Sequence, residues 1–270
     1  MLNIYMYTRG TASGHLARIN AVFKGFKRSR IACRFFACAP RSKYTELLES
    51  GITLCKKDEF PAHIDIFICD WGADDYVARL PFNVATTWIG LRRLGKMRKT
   101  FPTHFHVIAV EPSVKGDVLI WPIISTWADE LVSRDAMCKI LGVDENVEVA
   151  LVCENGAYAK HIDTVFDSPL PTHLTTIRVS NSPHATEKRD LSYYPVAQLF
   201  DAVDYLVLGG GYNSVHEALS YADVNKTTFI HVGGDDQEQR MNKQQSWEKG
   251  RESQAHSLAQ YIADYHYRQF

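Results

Sequence analysis

Three stretches place small, polar and titratable residues directly after apolar runs of strand length, where a ligand can be held or a proton moved. In the first, Gly10-Thr11-Ala12-Ser13-Gly14-His15 separates the run ending at Thr8 from an apolar-periodic segment that starts at Leu16. A small-residue turn between a buried strand and a helix brings backbone N–H groups and the positive helix end to the carboxyl edge of a sheet, where α/β ligands bind. The spacing is neither that of a P-loop nor that of the dinucleotide-binding glycine fingerprint. His15 stands at the turn and can either cap the helix start or act near neutral pH as a proton acceptor. Asp70 closes another apolar run, as a second candidate base or as an ordinary turn cap.

The second stretch is Gly209-Gly210-Gly211-Tyr212-Asn213-Ser214-Val215-His216-Glu217. Three glycines after a strand let the chain approach an anion closely. Asn213 and Ser214 can cap the following helix, whose N–H groups then face a phosphate. Glu217 lies three residues after Ser214, so it either completes a capping box or hydrogen-bonds a ribose diol. The third stretch, Gly233-Gly234-Asp235-Asp236-Gln237-Glu238-Gln239-Arg240-Met241-Asn242, groups carboxylates and amides at a loop-to-helix junction. Such a group suits vicinal sugar hydroxyls, or simply favours a helix N-terminus through its dipole.

Alternating strand-like and helix-like segments must position these stretches, which is the pattern of βαβ units and a mainly parallel sheet. The apolar runs predict strands near residues 3–8, 30–38, 64–69, 84–88 and 105–110, with helices at 15–27 and 43–49. The second half repeats the plan, with strands near 147–153, 175–179, 205–208 and 227–231 and helices near 195–201, 214–221, 237–249 and 253–265. Between the halves, residues 133–142 read as a short helix with Ser133 as N-cap and Gly142 as its stop. The polar segment 180–190 reads as a surface loop.

Thirty Lys and Arg against 31 Asp and Glu leave a net charge of -1, so no global field exists to hold a phosphate backbone, and nucleic acid is not an expected partner. The six cysteines show no metal or redox spacing and predict a reduced, cytoplasmic chain. No signal peptide or membrane-spanning run is expected, which leaves peripheral membrane contact open.

Taken together, the Gly10–His15 turn, the Ser133–Gly142 helix, Gly210-Gly211-Tyr212-Asn213-Ser214-Val215-His216-Glu217 and Glu238-Gln239-Arg240-Met241-Asn242 resemble the GT-B glycosyltransferases. The likeness is greatest to the branch containing the bacterial enzyme that adds N-acetylglucosamine to lipid I. It implies an α/β fold of two Rossmann-like domains facing a cleft: an acceptor-side domain over 1–120, a linker at 121–132, a nucleotide-sugar domain over 133–255, and a final helix, 256–270, packing back on the first domain. It implies metal-free, inverting transfer from a nucleoside-diphosphate sugar, UDP in this branch, with no other cofactor. His15 would be the base or acceptor-orienting group, with Asp70 the second candidate. Gly211, Asn213 and Ser214 would face the diphosphate, Glu217 the ribose, and Glu238 and Gln239 the sugar; Gly14, Gly210, Asp236 and Gln237 complete the donor-binding set. The sequence departs from the family at Cys153-Glu154-Asn155-Gly156-Ala157, where a glycine-rich turn is usual and Glu154 would repel a phosphate. The short first half suits a small acceptor, although a sugar or lipid-linked one stays open. Two other readings remain: a nucleotide-sugar hydrolase on the same fold, and a donor-binding subunit without catalysis.

Overall fold

The computed structural model describes residues 1–10, 13–42, 45–57, 59–70, 77, 80, 86–95, 101–154, 173–180, 190–231 and 235–270. The chain divides into two compact units: Met1–Thr11, His15–Ser125 and Ser253–Phe270 form one, and Ala12–Gly14 with Thr126–Glu252 the other. Among the described residues no helix is long and apolar enough to cross a membrane.

The first unit is built on β1 (Leu2–Thr8), β2 (Cys33–Cys38), β3 (Ile52–Leu54), β4 (Ile66–Asp70), β5 (Thr87–Arg92), β6 (His106–Ala109) and β7 (Val118–Leu119). They form a parallel sheet in the order β3-β2-β1-β4-β5-β6-β7. Its central strands are buried on both faces, which is why β4 reads as the unbroken run Ile66-Phe67-Ile68-Cys69. Helix α1 (Ser13–Arg28) buries Leu16, Ile19, Val22 and Phe26 along one stripe. On the sheet, Tyr5, Phe67, Phe101 and Phe105 pack as an aromatic cluster. The strand order reverses between β1 and β4, and ligands of such sheets bind outside the carboxyl ends at that crossover.

The second unit repeats this design. Its strands β8 (Val149–Glu154), β9 (Thr175–Ser180), β10 (Asp190–Ser192), β11 (Tyr205–Gly209) and β12 (Thr227–Ile230) are parallel in the order β10-β9-β8-β11-β12, with the crossover between β8 and β11. Among the described residues its helices are α2 (Arg134–Leu141), α3 (Tyr212–Tyr221) and α4 (Asp235–Lys243). Helix α2 starts on Ser133, whose hydroxyl accepts the Ala136 N–H, and stops on Gly142 in the left-handed region at φ 68°. Arg134 bonds the carbonyls of Val147 and Ala202 and the Asp204 carboxylate, tying α2 to the starts of β8 and β11.

The last helix, α5 (Ala255–Gln269), belongs to the first unit. It buries Ala255, Leu258, Ala259, Ile262, Ala263 and His266, a helical stripe, and bonds β5 and β6 through His266–Thr87 and Tyr261–His106, each at 2.8 Å. Gly25 of α1 permits the approach, since a β-carbon there would lie 2.1 Å from the Ala255 carbonyl oxygen.

Several expected elements differ. Of the helix expected at 43–49, residues 43 and 44 lie outside the described residues and the rest holds a 3-10 turn, Thr45–Leu47, where the Asn20 side chain takes the Leu47 carbonyl and Glu49 N–H. The helix at 195–201 is likewise a 3-10 turn, Val196–Leu199, whose Gln198 carbonyl is used by Val132. The helix at 237–249 stops at Lys243 and gives way to the turn Gln244–Ser246, which delivers Trp247 onto the His216 ring. The strand at 84–88 is Thr87–Arg92; residues 84 and 85, like most of the loop 180–190, lie outside the described residues.

Candidate functional site

In the first unit the crossover brings β1 and β4 to a common end. Thr8 and Asp70 are register partners there, and His15, on the first turn of α1, comes down onto both. His15 Nδ1 lies 3.0 Å from Asp70 Oδ2 and 2.9 Å from Thr8 Oγ1, while the Thr8 hydroxyl donates to the same carboxylate oxygen at 3.4 Å. Asp70 Oδ1 faces Arg18 Nε at 2.8 Å. Arg18 is three residues along α1 from His15, hence on the same helix face. Gly10 runs beneath the imidazole, which fills the space a side chain at residue 10 would need.

The charges explain the protonation states. Burial opposes ionisation of Asp70, but the Arg18 guanidinium, the His15 hydrogen bond and Arg93 outweigh it and hold the carboxyl well below the usual carboxylate range. An ionised carboxylate only accepts, so His15 Nδ1 carries the proton and Nε2 the lone pair. Burial also lowers the His15 pKa; the Asp70 hydrogen bond opposes this, while Arg93 and Arg18 reinforce it. The imidazole is therefore neutral at pH 7, oriented by a carboxylate and able to take a proton at Nε2. With its carboxyl held ionised, Asp70 orients the His15 ring through Nδ1.

In the second unit the glycine turn follows β11 at the corresponding crossover. Gly210 donates to the Ile230 carbonyl at 3.0 Å, and a β-carbon on it would lie 2.9 Å from Met241 Sδ and 3.2 Å from Gln237 Cβ, so α4 packs directly on the turn. Arg240, fully buried, secures that packing: Nη1 donates to the Gly210 carbonyl at 2.8 Å, Nη2 lies 3.4 Å from Asp236, and the guanidinium sits over the Tyr212 ring. Gly211 is the N-cap of α3; among the described residues no side chain caps it, and a β-carbon there would meet only Ser214 Oγ at 3.9 Å. The helix start thus has room for a ligand atom close to the backbone. Glu217, buried, accepts from Thr126 Oγ1 at 3.3 Å, and its charge adds to burial in raising the Cys153 thiol at the end of β8.

Compared with solved structures, the chain is similar to SsfS6, a glycosyltransferase of Streptomyces sp. SF2575, with a TM-score of 0.56 over 97% of this chain and 100% of that one at 9% identity. It is also similar to MurG of Acinetobacter baumannii, with a TM-score of 0.52 over 100% of this chain and 92% of that one at 13% identity. The chain has the GT-B fold. No protein-family model and no curated protein matches the sequence.

Within this GT-B chain the structure sorts the residues singled out from sequence. His15 and Asp70 meet. Gly210 and Gln237 meet, with Asp236 joined to them through Arg240. Gly14, grouped with the second unit, accepts from the Asn213 side-chain amide at 3.0 Å. Asn213 and Ser214 are not caps, because α3 already starts at Tyr212, two residues before the expected 214, with Gly211 as its N-cap. For the same reason Glu217 stands on the second turn, outside capping-box spacing. Glu238 is exposed and Gln239 half-buried. The Glu154 side chain and residues 155–157, where the family departure falls, lie outside the described residues, as do Gly233 and Gly234. Sequence reasoning missed Thr8, Arg18, Arg93, Thr126 and Arg240. Arg18 had a signal, a cation inside the apolar stripe of α1, which requires a buried counter-charge.

Proposed function

We propose that this chain is a glycosyltransferase that moves a sugar from a nucleoside diphosphate, UDP in keeping with the resemblance, to the hydroxyl of a small, sugar or lipid-linked acceptor. One observation carries the reading: a buried, neutral histidine whose Nδ1–H is fixed on an ionised aspartate at the carboxyl-edge crossover of a GT-B half. In the reaction His15 Nε2 removes the acceptor's hydroxyl proton. The acceptor oxygen bonds to the anomeric carbon from the face opposite the leaving group, and the bond to the diphosphate oxygen breaks with its electron pair going to that oxygen, so the configuration inverts. The α3 terminus and the Gly210-Gly211 turn suit the diphosphate, whose charge grows as the bond breaks. Glu217 suits the ribose hydroxyls, and Gln237, Glu238 and Gln239 the sugar. Charge stabilisation comes from the helix end, so the reaction proceeds without metal and survives a chelator. All six cysteines are thiols, which fits the reducing cytoplasm, where nucleotide sugars would be the co-substrate.

The test is a panel of nucleotide sugars scored by thermal shift, then by nucleoside diphosphate release with and without candidate acceptors. A ligand at 100 times its Kd adds about 2.7 kcal/mol of stability. Binding of at least one nucleotide sugar and release accelerated by an acceptor is the expected result; no binding across the panel overturns it. The same His15–Asp70 pair can activate water, so equal release without any acceptor would make the enzyme a nucleotide-sugar hydrolase.

A further inference from the structure

Arg93 Nη2 lies 3.4 Å from His15 Nε2, the nitrogen that receives the acceptor proton in the proposed reaction. A guanidinium only donates, so the lone pair the reaction needs is already engaged by Arg93. The fold holds this arginine in place. It directly follows β5, it is buried, and the N–H of the next residue, Leu94, donates to the buried Glu111 carboxylate at 2.6 Å. Around it Asp70 is committed, with Oδ2 to His15 and Thr8 and Oδ1 facing Arg18.

For a hydroxyl to reach Nε2, the Arg93 hydrogen must be given to a better acceptor. Water and plain alcohols compete poorly for a guanidinium, whereas a carboxylate or phosphate takes it in a charge-assisted, two-pronged bond. We propose that Arg93 selects the acceptor: the base is released to a hydroxyl compound carrying a carboxylate or phosphate beside the reacting hydroxyl. The oxyanion draws the guanidinium off Nε2, and the neighbouring hydroxyl then donates its proton to the freed lone pair. Water brings no anion, so the same device suppresses hydrolysis of the donor. The inference rests on the reading of His15 as the base and names the acceptor class.

The experiment uses the full chain with 15N-labelled histidine and follows the His15 imidazole by NMR. The probes are lactate and glycerol 3-phosphate, each against its uncharged counterpart, propane-1,2-diol and glycerol. At least one anion should shift the Nε2 signal and bind about tenfold or more tightly than its neutral partner. Arg93→Gln should erase that preference while leaving the Nδ1 signal, the reporter of an intact Asp70 bond, in place. Arg93→Lys, which keeps the charge without the fork, should retain part of it. Whichever anion binds distinguishes the carboxylate from the phosphate source. Equal binding of charged and neutral probes, no shift with either anion at high millimolar concentration, or a preference that survives Arg93→Gln overturns the proposal. Failure of the glycosyltransferase reading would look different: no nucleotide sugar would bind, with the anion preference intact.

Discussion

The backbone of Gly10 runs so close beneath the His15 imidazole that a β-carbon on residue 10 would lie 1.8 Å from His15 Cδ2. The least costly relief for Gly10→Ala is rotation of the ring, which breaks the 3.0 Å contact between Nδ1 and Asp70. The variant should fold, keep its nucleotide-sugar affinity and lose turnover by about 100-fold to 10,000-fold, the usual worth of a general base. Titration calorimetry beside a rate assay checks this, and near-normal turnover would mean that the dyad is not the catalytic element.

The His15–Asp70 pair also sets an acid limit. Since His15 is held below its ordinary 6.5, kcat/KM should fall on the acid side with a midpoint below 6.5. Asp70→Asn removes the carboxylate charge that opposes this shift and weakens its bond to Nδ1, so the midpoint should move further down while the plateau rate drops. Stability follows the same signs. The unfolded chain protonates this histidine through pH 6.5 and the native one does so only at lower pH, so stability declines as pH falls through that window. Asp70, depressed from 3.8, adds a second loss as pH falls below about 4. Asp70→Asn further leaves Arg18 without its buried counter-charge, costing about 3–5 kcal/mol in urea denaturation at pH 7. Unchanged pH profiles in the variant would separate Asp70 from the base.

The two strand–turn–helix junctions were legible in the sequence because a buried parallel strand followed by a small-residue turn and a helix is a strong local pattern, as at Thr8–His15 and Gly209–Glu217. The short edge strands Ile52–Leu54, Val118–Leu119 and Asp190–Ser192 were not, since an edge strand buries little and leaves no apolar run. The pairing of His15 with Asp70 was hidden for another reason: 55 residues separate them, and only the β1–β4 register brings them together. Arg240 sits in the polar run Asp235–Asn242, where a cation reads as solvated, so its bond to the Gly210 carbonyl gave no signal.

Glu217 offers a test in which binding and stability part company. Glu217→Ala should weaken nucleotide binding by about 1–3 kcal/mol if a buried ribose hydrogen bond is lost. Because Thr126 also donates to Glu217, the control is Thr126→Val, which removes that bond and keeps the carboxylate. It should lower Tm with little effect on affinity. Unchanged affinity in Glu217→Ala together with a clear loss of stability would make Glu217 a structural partner of Thr126 alone.

The adjacent glycines 210 and 211 should respond in opposite ways. Gly210→Ala drives a β-carbon against Met241 Sδ at 2.9 Å and Gln237 Cβ at 3.2 Å. The Met241 side chain can swing aside, but Gln237 Cβ moves only with α4, so overpacking should cost about 1–3 kcal/mol of stability. Gly211 sits at φ -66°, ψ 157°, a conformation any residue adopts, and among the described residues its β-carbon would reach only Ser214 Oγ at 3.9 Å. Gly211→Ala should therefore change stability by less than about 1 kcal/mol, because the loss of glycine's N-cap preference over alanine is offset by the entropy saved in the unfolded chain. If a diphosphate rests on the α3 terminus, however, the added methyl occupies the space beside it, and nucleoside diphosphate affinity should drop about tenfold or more. Calorimetric titration of UDP into both variants decides the matter: wild-type affinity in Gly211→Ala would show that the diphosphate does not approach residue 211.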